Sequence, residues 1–202
     1  ELNQQVSAEA INLTRALKGD KKLQGNWGEQ KVELLLETCG LRAGIEYERE
    51  KSFRDDHGAN KRPDFIIRLP EGKQLIVDSK VSLVHYAQAV ASDDPATINA
   101  MLDAHVQSIR QHIASLSAKN YTELLGQKTP DFVLLFVAVE PAYFCAAERY
   151  PALFQEAFDK GITLVTASTL MPLLQVVANV WAMHNQDQNT RILAEQAVKV
   201  YD

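Results

Sequence analysis

Cysteine is scarce in this chain: 2 in 202 residues, Cys39 and Cys145. Neither belongs to a CxxC pair or a Cys/His cluster, so the pattern excludes a thiolate zinc site and a disulfide framework. Buried free thiols in helical contexts are expected instead, which points weakly to a reducing compartment. Glycine-rich phosphate loops of the GxxxxGK[ST] or GxGxxG type are missing, and so is a GxSxG elbow. Their absence argues against a P-loop or dinucleotide-binding protein and against a serine hydrolase. No apolar run approaches the ~18–20 residues of a membrane span; the longest is Phe132 to Val139. No signal-peptide pattern opens the chain. Positive charge is also lacking, with Lys+Arg 21 against Asp+Glu 26 and a net charge of -5. A general basic surface for nucleic acid is therefore excluded, though a local basic groove is not.

What is present suffices for one sizeable domain. The apolar fraction of 46% can fill a core. Residues 1–18 read as a helical stub, the end of a longer helix or coiled coil, and 19–202 read as the domain. A helix is expected from about Asn26 to Thr38, stopped at Cys39-Gly40. One of its faces is Trp27, Leu34, Leu35 and Thr38; the adjoining one is Glu29, Val32, Glu33 and Leu36. Tyr47 to Phe53 alternates as an edge strand, and a polar loop runs from Arg54 to Arg62. A helix is expected at about 83–91. Ser92-Asp93-Asp94-Pro95 then opens a long helix with a clean apolar stripe. Asp131 to Val139 reads as a buried central strand, 142–159 as a helix and Ile162 to Thr166 as a strand. Ser168 or Thr169 caps a long final helix that tolerates Pro172 in its first turn. Strands alternating with helices predict an α/β domain with a central mixed sheet.

The chemistry concentrates in Arg62-Pro63-Asp64-Phe65-Ile66-Ile67 and Leu75-Ile76-Val77-Asp78-Ser79-Lys80, joined by Pro70-Glu71-Gly72-Lys73. A hairpin centred on Glu71 puts Asp64 opposite Asp78. Asp78 and Lys80, two apart, share a face. Two carboxylates close together suit Mg²⁺ or Mn²⁺, and a neighbouring lysine orients water or balances charge at a phosphate. The competing reading is a structural Asp/Lys pair, since a buried carboxylate needs a partner.

Gly25-Asn26-Trp27-Gly28-Glu29, Arg62-Pro63-Asp64-Phe65, Val77-Asp78-Ser79-Lys80-Val81, Phe136 to Pro141 and Ser168-Thr169-Leu170 resemble the RmuC family of bacterial DNA recombination proteins. The resemblance covers roughly residues 20–202. Ala138 departs from it, where a proline is expected. The resemblance implies a restriction-endonuclease-like PD-(D/E)xK core, metal-dependent hydrolysis of DNA phosphodiesters, and limitation of rearrangement at inverted repeats. It also implies a membrane anchor and coiled coil upstream of Glu1, hence the cytoplasmic side of the inner membrane and a homo-oligomer joined through the coiled coil.

On that reading Asp64, Asp78 and the Ser79 carbonyl hold the metal, Lys80 orients the attacking water, and Glu29 completes the site. Glu29 reads equally well as a solvated helical carboxylate. Ser79 itself alternates to the other face as packing. Arg54, His57, Lys61 and Arg62 are expected to contact the DNA backbone. His105, His112 and Lys119 recur every seven residues, with Arg110 on a neighbouring face. Arg110, His112 and Lys119 line a DNA groove on one reading and a solvated helix border on the other. His85 and Tyr86 are expected to support the site. Glu140 either faces the same cavity or has a structural role. The rival functions are a DNA-binding scaffold that retains the fold without activity, and a nuclease acting on RNA or on branched structures only.

Overall fold

The computed structural model describes residues 21–50, 53–54, 60–79, 82–119, 121 and 132–201. The stub expected at 1–18, and the roles expected of His57 and Lys80, lie outside the described residues. The elements run α1 (Lys21–Thr38), β1 (Tyr47–Arg49), β2 (Phe53–Arg54), β3 (Asn60–Lys61), β4 (Phe65–Arg68) and β5 (Gln74–Asp78). Then come α2 (Val84–Val90), α3 (Pro95–Ser117), β6 (Val133–Phe136), α4 (Glu140–Arg149), α5 (Leu153–Asp159), β7 (Ile162–Val165) and α6 (Ala167–Tyr201).

Five strands form one mixed sheet in the order β1-β4-β5-β6-β7, and β2 pairs with β3 in a separate ribbon. β1, β4 and β5 are antiparallel; β5, β6 and β7 are parallel. The β4–β5 register pairs Phe65 with Val77 and Arg68 with Gln74. The hairpin is thus centred on Glu71, as its turn chemistry predicts. Glu71 and Gly72 both take positive φ, 64° and 76°, and Leu69 N–H donates to the Lys73 carbonyl at 2.7 Å.

Side-chain alternation splits the core into two layers. On one face Phe65, Ile67, Val77, Leu134 and Phe136 meet Val32 and Leu36 of α1 and Leu170, Leu174 and Val177 of α6. On the other, Ile76, Leu135 and Val137 meet Val106, Ile109, Ile113 and Leu116 of α3. β6 is buried along its whole length between two parallel neighbours, which explains its unbroken apolar sequence.

Local chemistry sets the helix ends. Asp94 caps α3 by accepting from Thr97 N–H at 2.9 Å and Ala96 N–H at 3.4 Å, with Pro95 at the first helical position. α1 ends in a Schellman motif: Leu41 N–H donates to Leu36 and Gly40 N–H to Glu37, with Gly40 at φ 81°. Thr169 Oγ1 reaches back to accept from Thr166 N–H at 2.9 Å, so α6 starts slightly before the expected cap. Its indole at Trp181 donates to the Arg68 carbonyl at 2.8 Å. From Asn185 to Arg191 the helix is exposed.

Three sequence expectations need correction. The strand expected over Tyr47–Phe53 stops at Arg49, because Glu50 adopts a left-handed φ of 54°. The helix expected over 142–159 is two helices, since Pro151 disfavours helical geometry at Tyr150. In α1 the buried face is Gly28, Glu29, Val32, Leu35 and Leu36, while Leu34 is 62% exposed. Cys39 and Cys145 are free, as expected, but half-buried rather than buried. Among the described residues no helix is long and apolar enough to cross a membrane.

Candidate functional site

The hairpin register, continued by one residue past the Phe65–Val77 pair, sets Asp64 opposite Asp78. Both are buried, Asp64 at 2% exposure and Asp78 at 0%. Burial of two carboxylates is costly unless each is well bonded. The partners explain how the fold tolerates them.

Asp64 sits in a bend between Pro63 and the start of β4, and its Oδ2 accepts from Ser79 N–H at 2.8 Å and Ser79 Oγ at 3.1 Å. Ser79 is therefore not mere packing: its hydroxyl and backbone both fix Asp64. The Ser79 carbonyl abuts Gly28 of α1. A Cβ at Gly28 would stand 3.0 Å from that oxygen, so glycine lets α1 approach the end of β5.

Asp78 closes β5 and points to the α3 face, as Ile76 does. Its Oδ2 lies 3.1 Å from His112 Nε2 and its Oδ1 3.5 Å from Lys119 Nζ. The seven-residue spacing brings His112 of α3 and Lys119, two residues past its end, to one carboxylate. A solvated border is thus the wrong reading of this edge. The third member, His105, is fully buried and donates from Nε2 to the Ala142 carbonyl at 3.1 Å. Burial pushes its pKa down to about 4, with the Ala142 bond opposing and His85 adding to the shift.

Glu29 is 6% exposed, not solvated. Its Oε2 takes Arg49 Nη2 of β1 at 2.8 Å, and Arg49 also binds Glu33 at 2.9 Å. The Glu29 bond holds the Arg49 pKa above its ordinary value. Beside it, Lys31 Nζ donates to the Ala138 carbonyl at 3.0 Å and lies 4.4 Å from the Trp27 ring centroid. Burial lowers the Lys31 pKa, and the Glu140 carboxylate opposes that shift. Trp27 packs against the core on both flanks of α1, in keeping with an anchor. Glu140 accepts from Thr166 Oγ1 at 2.9 Å and from Ser168 Oγ. It ties the start of α4 to the start of α6, a structural role.

The remaining cations are dispersed. Arg62 is ion-paired with Glu50 and donates to its carbonyl at 3.0 Å. Arg110 binds Glu156 at 2.7 Å and lies 4.8 Å from the Tyr150 ring centroid. Arg54 and Lys61 sit in the β2–β3 ribbon, where Arg54 pairs with Asn60 and Lys61 with Phe53. No single groove among the described residues gathers Arg62, Arg110, His112 and Lys119.

Sequence reasoning missed a polar row on α3. Ser108, Gln111, His112 and Ser115 fall at i, i+3, i+4 and i+7, and all four line one cleft with Ser82 and His85. The periodicity was readable, but the apolar stripe beside it dominates the pattern.

Among the described residues no group of three or more His, Cys, Asp and Glu could hold a metal ion. An all-protein cage is therefore not formed there. Two carboxylates and a backbone carbonyl are nonetheless hard oxygen donors. Mg²⁺ is commonly held by one or two carboxylates, with water and substrate phosphate completing its shell. In kind, the donor set of Asp64, Asp78 and the Ser79 carbonyl fits such an ion.

Comparison with known proteins agrees over the whole chain. The profile of the RmuC family matches residues 1–202. The chain is 45% identical over its full length to the DNA recombination protein RmuC of Escherichia coli K12, covering 42% of that protein. It is 46% identical to the homolog of Pseudomonas aeruginosa and 42% identical to that of Haemophilus influenzae, covering 44% and 45% of them. The chain thus spans less than half the length of these relatives. No solved structure matches it. On the whole-chain match and these identities, the chain belongs to the RmuC family.

Proposed function

We propose that this domain acts in DNA recombination as a divalent-metal-dependent phosphodiesterase, built on a restriction-endonuclease-like core. The observation that carries the reading is the pair of buried aspartates at facing positions of the β4–β5 hairpin, Asp78 being met by His112 and Lys119. The names of the relatives supply the recombination context. Limitation of rearrangement at inverted repeats belongs to the same proposal, as do an upstream membrane anchor and a coiled-coil homo-oligomer. Linked copies would add DNA affinity that the net charge of -5 withholds from one domain.

Asp64, Asp78 and the Ser79 carbonyl would hold Mg²⁺ or Mn²⁺. A bound cation of this kind would lower the pKa of its water and so ease formation of the attacking hydroxide. The chain's own residues do the positioning. Ser79 fixes Asp64 through two hydrogen bonds, and His112 fixes Asp78, so both carboxylates are set before substrate arrives. Lys119 and Lys80 contribute positive charge where a phosphate gains negative charge. Glu29, anchored by Arg49, supports the site from α1.

A second reading rests on one observation. Both oxygens of Asp78 already have nitrogen partners, and Glu29 has Arg49. A non-catalytic DNA-binding scaffold would need no more.

Calorimetric titration of Mn²⁺ into the wild type and Asp78→Asn, with cleavage assays on single-stranded, duplex and hairpin DNA and on RNA, separates the two. The nuclease reading expects metal binding lost in the variant and metal-dependent cleavage by the wild type. Neither binding nor cleavage in the wild type, with DNA present, would favour the scaffold.

A further inference from the structure

A cleft of about 460 Å³ opens between the start of α2 and the middle of α3. That volume falls within the range of small-ligand sites. Its lining differs from the rest of the surface. Ser82, Ser108 and Ser115 offer hydroxyls, Gln111 an amide, and His85 and His112 imidazoles. No carboxylate and no lysine or arginine lines it among the described residues. A wall of such donors without acids favours an acceptor-rich ligand, and serine and glutamine are ordinary contacts for phosphate oxygens.

Two further observations point the same way. Both ring nitrogens of His85 are buried and lack a hydrogen-bond partner among the described residues, and a buried polar group left so in a native protein calls for an explanation such as a catalytic role, a water or an ion. The second is location. His112 both lines the cleft and binds Asp78 at 3.1 Å, so a ligand here lies one side chain away from the candidate reactive centre.

We propose that this cleft seats one nucleotide of the substrate strand, its phosphate held by the hydroxyl, amide and imidazole groups of α2 and α3. The proposal rests on the nucleic-acid reading above and assigns it a strand-positioning subsite. The cleft places the strand, and the aspartate pair lies beyond His112. Because no lysine or arginine lines the cleft among the described residues, these contacts add position and register without the counterion release that such cations bring.

The test is NMR titration of the 202-residue chain with thymidine monophosphate, and separately with inorganic phosphate, in EDTA. Binding of the nucleotide is expected, with shifts centred on α2 and α3. Gln111→Glu places a carboxylate in the cleft at an exposed helical position and should weaken binding tenfold or more. His85→Ala should weaken it similarly, with the fold checked by circular dichroism. Gln88→Glu, the same charge change on the exposed side of α2, should leave binding unchanged. No nucleotide binding at millimolar concentration overturns the proposal. An equal loss in Gln88→Glu also overturns it, because the effect would then be general charge. Equal affinity for inorganic phosphate assigns the cleft to the free ion and overturns strand seating. Binding in EDTA without cleavage in Mg²⁺ would remove the nuclease reading and keep the subsite. Cleavage without nucleotide binding would remove the subsite alone.

Discussion

Asp64 and Asp78 are the same residue type at facing positions of one hairpin, yet the fold treats them differently. Asp64 takes its bonds from a neutral serine one residue past its facing partner. Asp78 takes a histidine of α3 and a lysine just past its end, 34 and 41 residues further along the chain. The bonds to Asp64 described above come from within the hairpin; those to Asp78 reach it only when α3 has docked on the sheet. The difference teaches that the two buried carboxylates draw on partners of different origin, one set local in sequence and the other distant.

The largest expected effect is on catalysis. Asp78→Asn keeps the side chain's shape and removes its charge, and should lower metal-stimulated cleavage by about 10³-fold or more. Equal cleavage in the variant would remove Asp78 from the reaction. Stability sharpens the contrast. Asp64→Ala strands the buried Ser79 N–H and should cost about 1–3 kcal/mol in urea unfolding. Asp64→Asn, whose amide oxygen still accepts, should cost clearly less.

The third member of the α3 row gives a pH signature. His105 has a folded pKa of about 4 against an ordinary 6.5, burial being the cause. Between those values the unfolded chain binds more protons, so stability is full above pH 6.5 and falls as pH drops toward 4. The loss by pH 5 is on the order of 2 kcal/mol. A flat urea midpoint between pH 7 and pH 5 would contradict it, whereas His105→Gln should flatten the profile. Smaller again, Gly28→Ala should destabilise by about 1–2 kcal/mol through the Ser79 carbonyl, despite alanine's helix preference. The smallest effect belongs to Lys119→Met. Its ammonium is a third exposed and 3.5 Å from Asp78, so the cost should stay below about 1 kcal/mol.

Much of the frame was legible because it is local. The turn centred on Glu71 set the hairpin register, Asp94-Pro95 marked the start of α3, and the run into Val139 marked the buried strand. The family was legible from its short motifs. What was not legible depends on distant partners. Nothing near Asp78 in sequence announces His112 or Lys119, and nothing near Glu29 announces Arg49. The seven-residue row was seen, but its destination was misread, because periodicity gives a helix face and not what that face meets. Glu50 went unread because non-glycine residues seldom take a left-handed conformation. The break at Pro151 was within reach of a simple rule and was passed over.

The bond from Trp181 to the Arg68 carbonyl gives α6 a mechanical meaning. At 35 residues that helix is about 50 Å long. Its first turns are packed into the core, Trp181 is bonded to the last residue of β4, and Asn185 to Arg191 are exposed. The helix is thereby tied to the strand that follows Asp64, so a displacement of α6 at Trp181 would be felt at the aspartate-bearing hairpin.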